Sequence, residues 1–87
     1  MKVSFDFVRP GRGPVVELYA WVVIPPDGDE GVLIADLPAP YGFPMALISP
    51  DRDKIASLES IAQRARDALG YPIKLMRFST REEIKRL

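Results

Sequence analysis

Period-two alternation opens the chain. Between Lys2 and Val8, Val3, Phe5 and Phe7 fall on one side and Ser4 and Asp6 on the other, a spacing that predicts a strand. Arg9-Pro10-Gly11-Arg12-Gly13-Pro14 interrupts it with turn chemistry. From Val15 to Ile24 the chain is dense in β-branched and aromatic residues and free of Gly and Pro, which predicts its strongest strand. Val16, Leu18, Ala20, Val22 and Ile24 form one face of that strand; Val15, Glu17, Tyr19, Trp21 and Val23 form the other. Pro25-Pro26-Asp27-Gly28-Asp29-Glu30-Gly31 stops it, and Val32–Leu37 resumes as a strand, so the two runs are expected to pair as an antiparallel hairpin. After a second breaker cluster from Pro38 to Pro44, Met45–Ile48 reads as a short buried strand.

The period then changes. Ser49, Pro50 and Asp51 have the chemistry of a helix start, with Ser49 as cap, Pro50 in the first turn and Asp51 at the positive dipole end. Ile55, Leu58, Ile61, Ala62, Ala65, Ala68 and Leu69 recur every three to four residues, which predicts one long amphipathic helix ending at Gly70. Ile73–Phe78 alternates again as a last strand. Ser79-Thr80-Arg81-Glu82 matches a capping box and predicts a short helix to Leu87, with Ile84 and Leu87 inward and Glu82 paired with Arg86. The fold class is therefore expected to be α+β, an antiparallel meander of four to five strands in the order ββββαβα on one long helix. The chain is 87 residues long, one domain's worth of polypeptide, so residues 1–87 are expected to form a single small domain.

Composition narrows the chemistry. With no cysteine and no histidine, the chain lacks a thiol nucleophile, thiolate metal ligands, the commonest general base and the commonest metal ligand. Ser4, Ser49, Ser57, Ser60, Ser79 and Thr80 carry hydroxyls, but no imidazole can activate them, and nothing in the pattern brings Lys54 or Lys74 to a serine. No enzyme activity, no cofactor and no metal are expected. Asp27-Gly28-Asp29-Glu30-Gly31 superficially resembles a calcium loop, but Gly31, Val32 and Pro38 stand where an acidic or amide residue, a glycine and a glutamate are needed. Gly11-Arg12-Gly13 precedes a strand rather than a helix, so no helix dipole assists an anion there. An opening segment without an apolar core and the shortness of the run Leu18–Ile24 argue against a signal peptide and a membrane span. Together with the missing cysteines they lead us to expect a cytoplasmic protein.

Net charge is zero, but it is unevenly spread. Residues 1–50 carry three basic and six acidic side chains, and residues 51–87 carry nine and six. Lys74, Arg77, Arg81, Lys85 and Arg86 form the densest basic group. They would supply phosphate contacts if the chain were a nucleic-acid-associated accessory protein, with Tyr19 and Trp21 as stacking platforms. The leading expectation is a small non-enzymatic interaction module, a homo-oligomer or the binder of a protein partner. One long helix covers only one face of the sheet. If Val16, Leu18, Val22 and Ile24 face that helix, Tyr19 and Trp21 lie on the opposite face. There Tyr19 and Trp21 either pack under the short C-terminal helix or a loop, or, with Tyr41 and Phe43, form the candidate partner or dimer surface.

Overall fold

The computed structural model describes residues 4–36 and 44–87. Among them the elements run β1 (Leu18–Val23), β2 (Gly31–Val32), β3 (Ile34–Asp36), β4 (Pro44–Ala46), β5 (Ile48–Ser49), α1 (Arg52–Ala56), α2 (Glu59–Leu69) and β6 (Ile73–Phe78). The class is α+β with antiparallel sheets, as the alternating pattern predicts.

β1 is the centre of the sheet. Along one edge it pairs antiparallel with β6 over its whole length, from Leu18 opposite Phe78 to Val23 opposite Ile73. Its other edge is shared. Val22 and Val23 pair with Val32 and Gly31 of β2, while Tyr19 and Ala20 pair with Ser49 and Ile48 of β5. Between these contacts β3 and β4 leave β1 and pair with each other, Ile34 opposite Ala46 and Asp36 opposite Pro44. The expected single strands Val32–Leu37 and Met45–Ile48 are each divided, at Leu33 and Leu47. Both change partner at that point, and Leu37 itself lies outside the described residues.

A closed cycle of backbone hydrogen bonds marks the branch. The Trp21 N–H donates to the Leu47 carbonyl (3.1 Å), the Leu47 N–H to the Leu33 carbonyl (2.8 Å), and the Leu33 N–H to the Trp21 carbonyl (2.9 Å). Each residue gives one bond and takes one, so the sheet divides without orphaning these buried groups. The β1–β2 hairpin is closed by the Gly28 N–H donating to the Pro25 carbonyl (3.0 Å) and the Asp29 N–H to the Asp27 carboxylate (2.9 Å).

The helical segment comes as two pieces rather than one. Asp51 is the N-cap, its carboxylate accepting the Lys54 N–H at 3.1 Å. Ser49, the expected cap, belongs to β5, and its hydroxyl accepts the Asp51 N–H. α1 stops because the Ile55 carbonyl is engaged elsewhere. It accepts the Trp21 indole N–H at 2.8 Å and the Leu58 N–H at 3.1 Å, whereas a continuing helix would give it the Glu59 N–H. α2 ends at Gly70, in the left-handed region at φ 75°, with its N–H donating to the Arg66 carbonyl, as the sequence predicts.

The core reverses the expected faces of β1. Trp21, Leu33, Leu47, Ile55 and Ala62 form the buried cluster, and Tyr19, Val23, Ala35, Met45, Leu58, Ile61, Ala65 and Ile73 pack around it. The helices therefore cover the Tyr19–Trp21–Val23 face, and Leu18, Ala20 and Val22 point away from them. Both faces of this strand are apolar, so period-two alternation does not rank them. The larger indole fills more volume and brings a donor that the helix backbone can satisfy, so the tryptophan face goes inward.

Two predicted elements are not formed. Residues 4–8 are in no strand, and the Phe7 N–H donates locally to the Asp6 carboxylate. Alternation gives a segment two faces but no ladder partner. Residues 79–87 form no helix. Ile84 and Leu87 are exposed, and Arg86 pairs with Glu83 at 2.6 Å rather than with Glu82. So short a helix is marginal without an apolar surface beneath it. No helix among the described residues is long and apolar enough to cross a membrane.

Candidate functional site

The sheet face turned away from the helices is apolar. Strand register places Leu18, Ala20 and Val22 of β1, Val32 of β2, Ile48 of β5, and Met76 and Phe78 of β6 on it. The continuing alternation of β3 adds Ile34, paired with Ala46. Ala20 and Val22 are buried even on this open side, because Ile48 and Met76 flank Ala20 in register, and Val32 and Lys74 flank Val22. The larger side chains around them are not buried. Leu18, Val32, Ile48 and Phe78 are each about two-fifths exposed or more, and Ile34 is 64% exposed. Lys74 is the charged member of the β6 row on this face, and its ammonium pairs with the Glu30 carboxylate at 3.0 Å, outside the apolar centre. A contiguous face of this composition, with its charge at the margin, has the anatomy of a contact surface.

The aromatic set expected to form that surface is placed otherwise. Trp21 is 7% exposed and hydrogen-bonded into the helix backbone. Tyr19 is half-buried on the same side, at the rim of the core, with its hydroxyl donating to the Glu17 carboxylate. Acceptance by Glu17, followed by desolvation and the Glu17 charge, raises the Tyr19 phenol above its ordinary value, against a lowering by Arg52 and Arg77. Tyr41 and Phe43 lie outside the described residues.

The five basic side chains share no common surface. Lys74 is on the open face beside Glu30, and Arg77 is on the helix side, flanking Tyr19 and Arg52. The Arg81 guanidinium donates to the Val15 carbonyl at 2.7 Å, and Arg86 is paired with Glu83. Lys85 is exposed in the unstructured stretch. Without a helix over 79–87, Arg81 and Lys85 have no shared face.

An open groove of about 400 Å3 lies between the connector at Pro10–Pro14, the beginning of β1 and the start of α1. Arg12 and Arg52 line it, but so do Glu17, Asp51 and Asp53. The Asp51 carboxylate already satisfies the helix start, so an anion seated there would meet three carboxylates. Asp27, Asp29 and Glu30 belong to the exposed hairpin loop, and no three His, Cys, Asp or Glu side chains converge among the described residues.

The volume of the Trp21 ring and its need for a hydrogen-bond acceptor are the sequence signals that point to the inward side of β1, and hence to the open face. Its other members, from β2, β3, β5 and β6, are brought together only by register. Comparison with known proteins adds nothing to this geometry: no family model, no curated protein and no solved structure matches the chain.

Proposed function

We propose that this chain is a non-enzymatic interaction module that self-associates through the apolar sheet face opposite the helices. The observation that carries the reading is the row Leu18, Val32, Ile34, Ile48 and Phe78, large side chains left in water on a face that no helix or strand among the described residues covers. A second copy presenting the same face offers a matching apolar surface through a two-fold axis. The basic cluster gives no comparable support to nucleic-acid binding, because its members are scattered and mostly paired.

Sedimentation equilibrium on the full chain tests the reading. Wild type is expected to dimerise. Ile48→Lys and Ile34→Lys should each weaken association by about thirtyfold, the effect of losing an anchor worth roughly 2 kcal/mol. Both side chains already meet water in the single chain, so the melting behaviour of the separated subunit should barely change. A wild type that stays monomeric at high micromolar concentration refutes the proposal.

A further inference from the structure

β6 has a free edge. Among the described residues its ladder is made with β1 alone, so the groups on its other side form a template for an added strand. The same chain carries a segment with a strand's alternation and no partner. Phe5 is 90% exposed and Phe7 69% exposed, and the Arg9 guanidinium lies over the Phe7 ring, 4.7 Å from its centroid. We propose that residues 4–8 of one copy add as an antiparallel strand to the β6 edge of a second copy, each giving its segment to the other. This rests on the self-association proposed above and extends the face described there.

Chemistry sets the register. The helix side of β6 presents Ile73, Leu75 and Arg77, and the open side presents Lys74, Met76 and Phe78. If Phe5 and Phe7 lie on the open side, where they enlarge the apolar face, Asp6 must lie on the helix side. Arg77 is the one cation of β6 there. Placing Asp6 opposite Arg77 puts Phe5 opposite Phe78 and Phe7 opposite Met76. The three pairs are opposite charges, two aromatic rings, and a thioether against a ring, all favourable across strands. The added strand stops after Val8, because Arg9 would oppose Lys74 and Pro10 has no N–H to donate.

Connectivity makes the exchange intermolecular. A segment antiparallel to β6 runs parallel to β1, and joining it to β1 of its own chain would require a crossover. Such connections need about a dozen residues or more, and residues 9–17 fall short of that. The hydrogen bond from Arg81 to the Val15 carbonyl, 2.7 Å long, further fixes the base of the segment.

The chain contains no cysteine, so engineered thiols report the contact cleanly. Full-length Asp6→Cys and Arg77→Cys chains are mixed, allowed to exchange and mildly oxidised. Phe5→Cys with Phe78→Cys is a second, independent pair, and Asp6→Cys with Arg66→Cys measures random collision. The expected result is a mixed disulfide between positions 6 and 77, and between 5 and 78, several-fold above the Arg66 control. Mixed products no more abundant than that control, in a protein that sedimentation shows to be dimeric, overturn the strand exchange and leave the sheet-face dimer standing. A wild type that is monomeric overturns both. A chain carrying Asp6→Cys and Arg77→Cys together that closes its disulfide at monomer mass also overturns the exchange, because the segment then pairs within its own chain.

Discussion

At the scale of single residues, Trp21 concentrates most of the fold's logic. Its backbone takes part in the hydrogen-bond cycle that divides the sheet, its ring fills the core, and its indole N–H donates to the Ile55 carbonyl where α1 stops. Truncating it removes packing and a buried hydrogen bond together. Trp21→Ala should cost about 3–5 kcal/mol of folding stability. Trp21→Phe keeps most of the ring but not the donor. The Ile55 carbonyl still accepts the Leu58 N–H, so this milder change should cost about 1–3 kcal/mol. Chemical denaturation of both variants checks the order. Equal losses would mean that the ring contributes nothing beyond the hydrogen bond, and an unchanged Trp21→Phe that the hydrogen bond contributes nothing.

Elements show where local signals suffice and where they are overridden. The C-terminus of α2 is local. Gly70 has φ 75°, and a Cβ added there meets nothing within 4 Å. Gly70→Ala should therefore cost about 1–2 kcal/mol, purely from the backbone conformation, and thermal melting should register it with the core intact. The interior of the helical segment is not local. Ile55, Leu58, Ile61, Ala62 and Ala65 face the core as their spacing predicts, yet the segment is broken between Ala56 and Glu59. No residue there is a helix breaker. A tertiary donor from β1 occupies the carbonyl that the next helical turn requires. Residues 4–8 and 79–87 fail for the opposite reason. Their patterns are adequate but, among the described residues, 4–8 have no strand partner, and 79–87 leave Ile84 and Leu87 exposed.

At the scale of the whole molecule, the Cα radius of gyration is 14.6 Å, against about 12 Å for a compact chain of this length. The chain is thus more extended than a compact domain of its length, with residues 4–17 and 79–87 outside any helix or strand. If a second copy covers the open sheet face, stability depends on concentration by mass action. A tenfold increase in chain concentration adds about 1.4 kcal/mol per dimer. The unfolding midpoint should then rise by a few degrees across that range, and the rise should vanish in Ile48→Lys. A midpoint independent of concentration in wild type would contradict the dimer at this scale.

The sequence by itself determined what depends on near neighbours. β-branched and aromatic density identified the strand Val15–Ile24, of which Leu18–Val23 forms, alternation identified Ile73–Phe78, the Pro-Asp-Gly cluster closed the hairpin between β1 and β2, and Gly70 ended α2. Tertiary structure decided which face of β1 the helices cover. Both sides of β1 are apolar, and periodicity alone cannot rank them. The choice came from an indole that fills more space and finds an acceptor in α1. Tertiary structure also decided that Leu33 and Leu47 change partners, because a strand's pattern specifies its sides but not its neighbour. The candidate surface followed from both choices. Leu18, Val32, Ile34, Ile48 and Phe78 are dispersed along the chain, and only the register of the strands around β1 makes them one face.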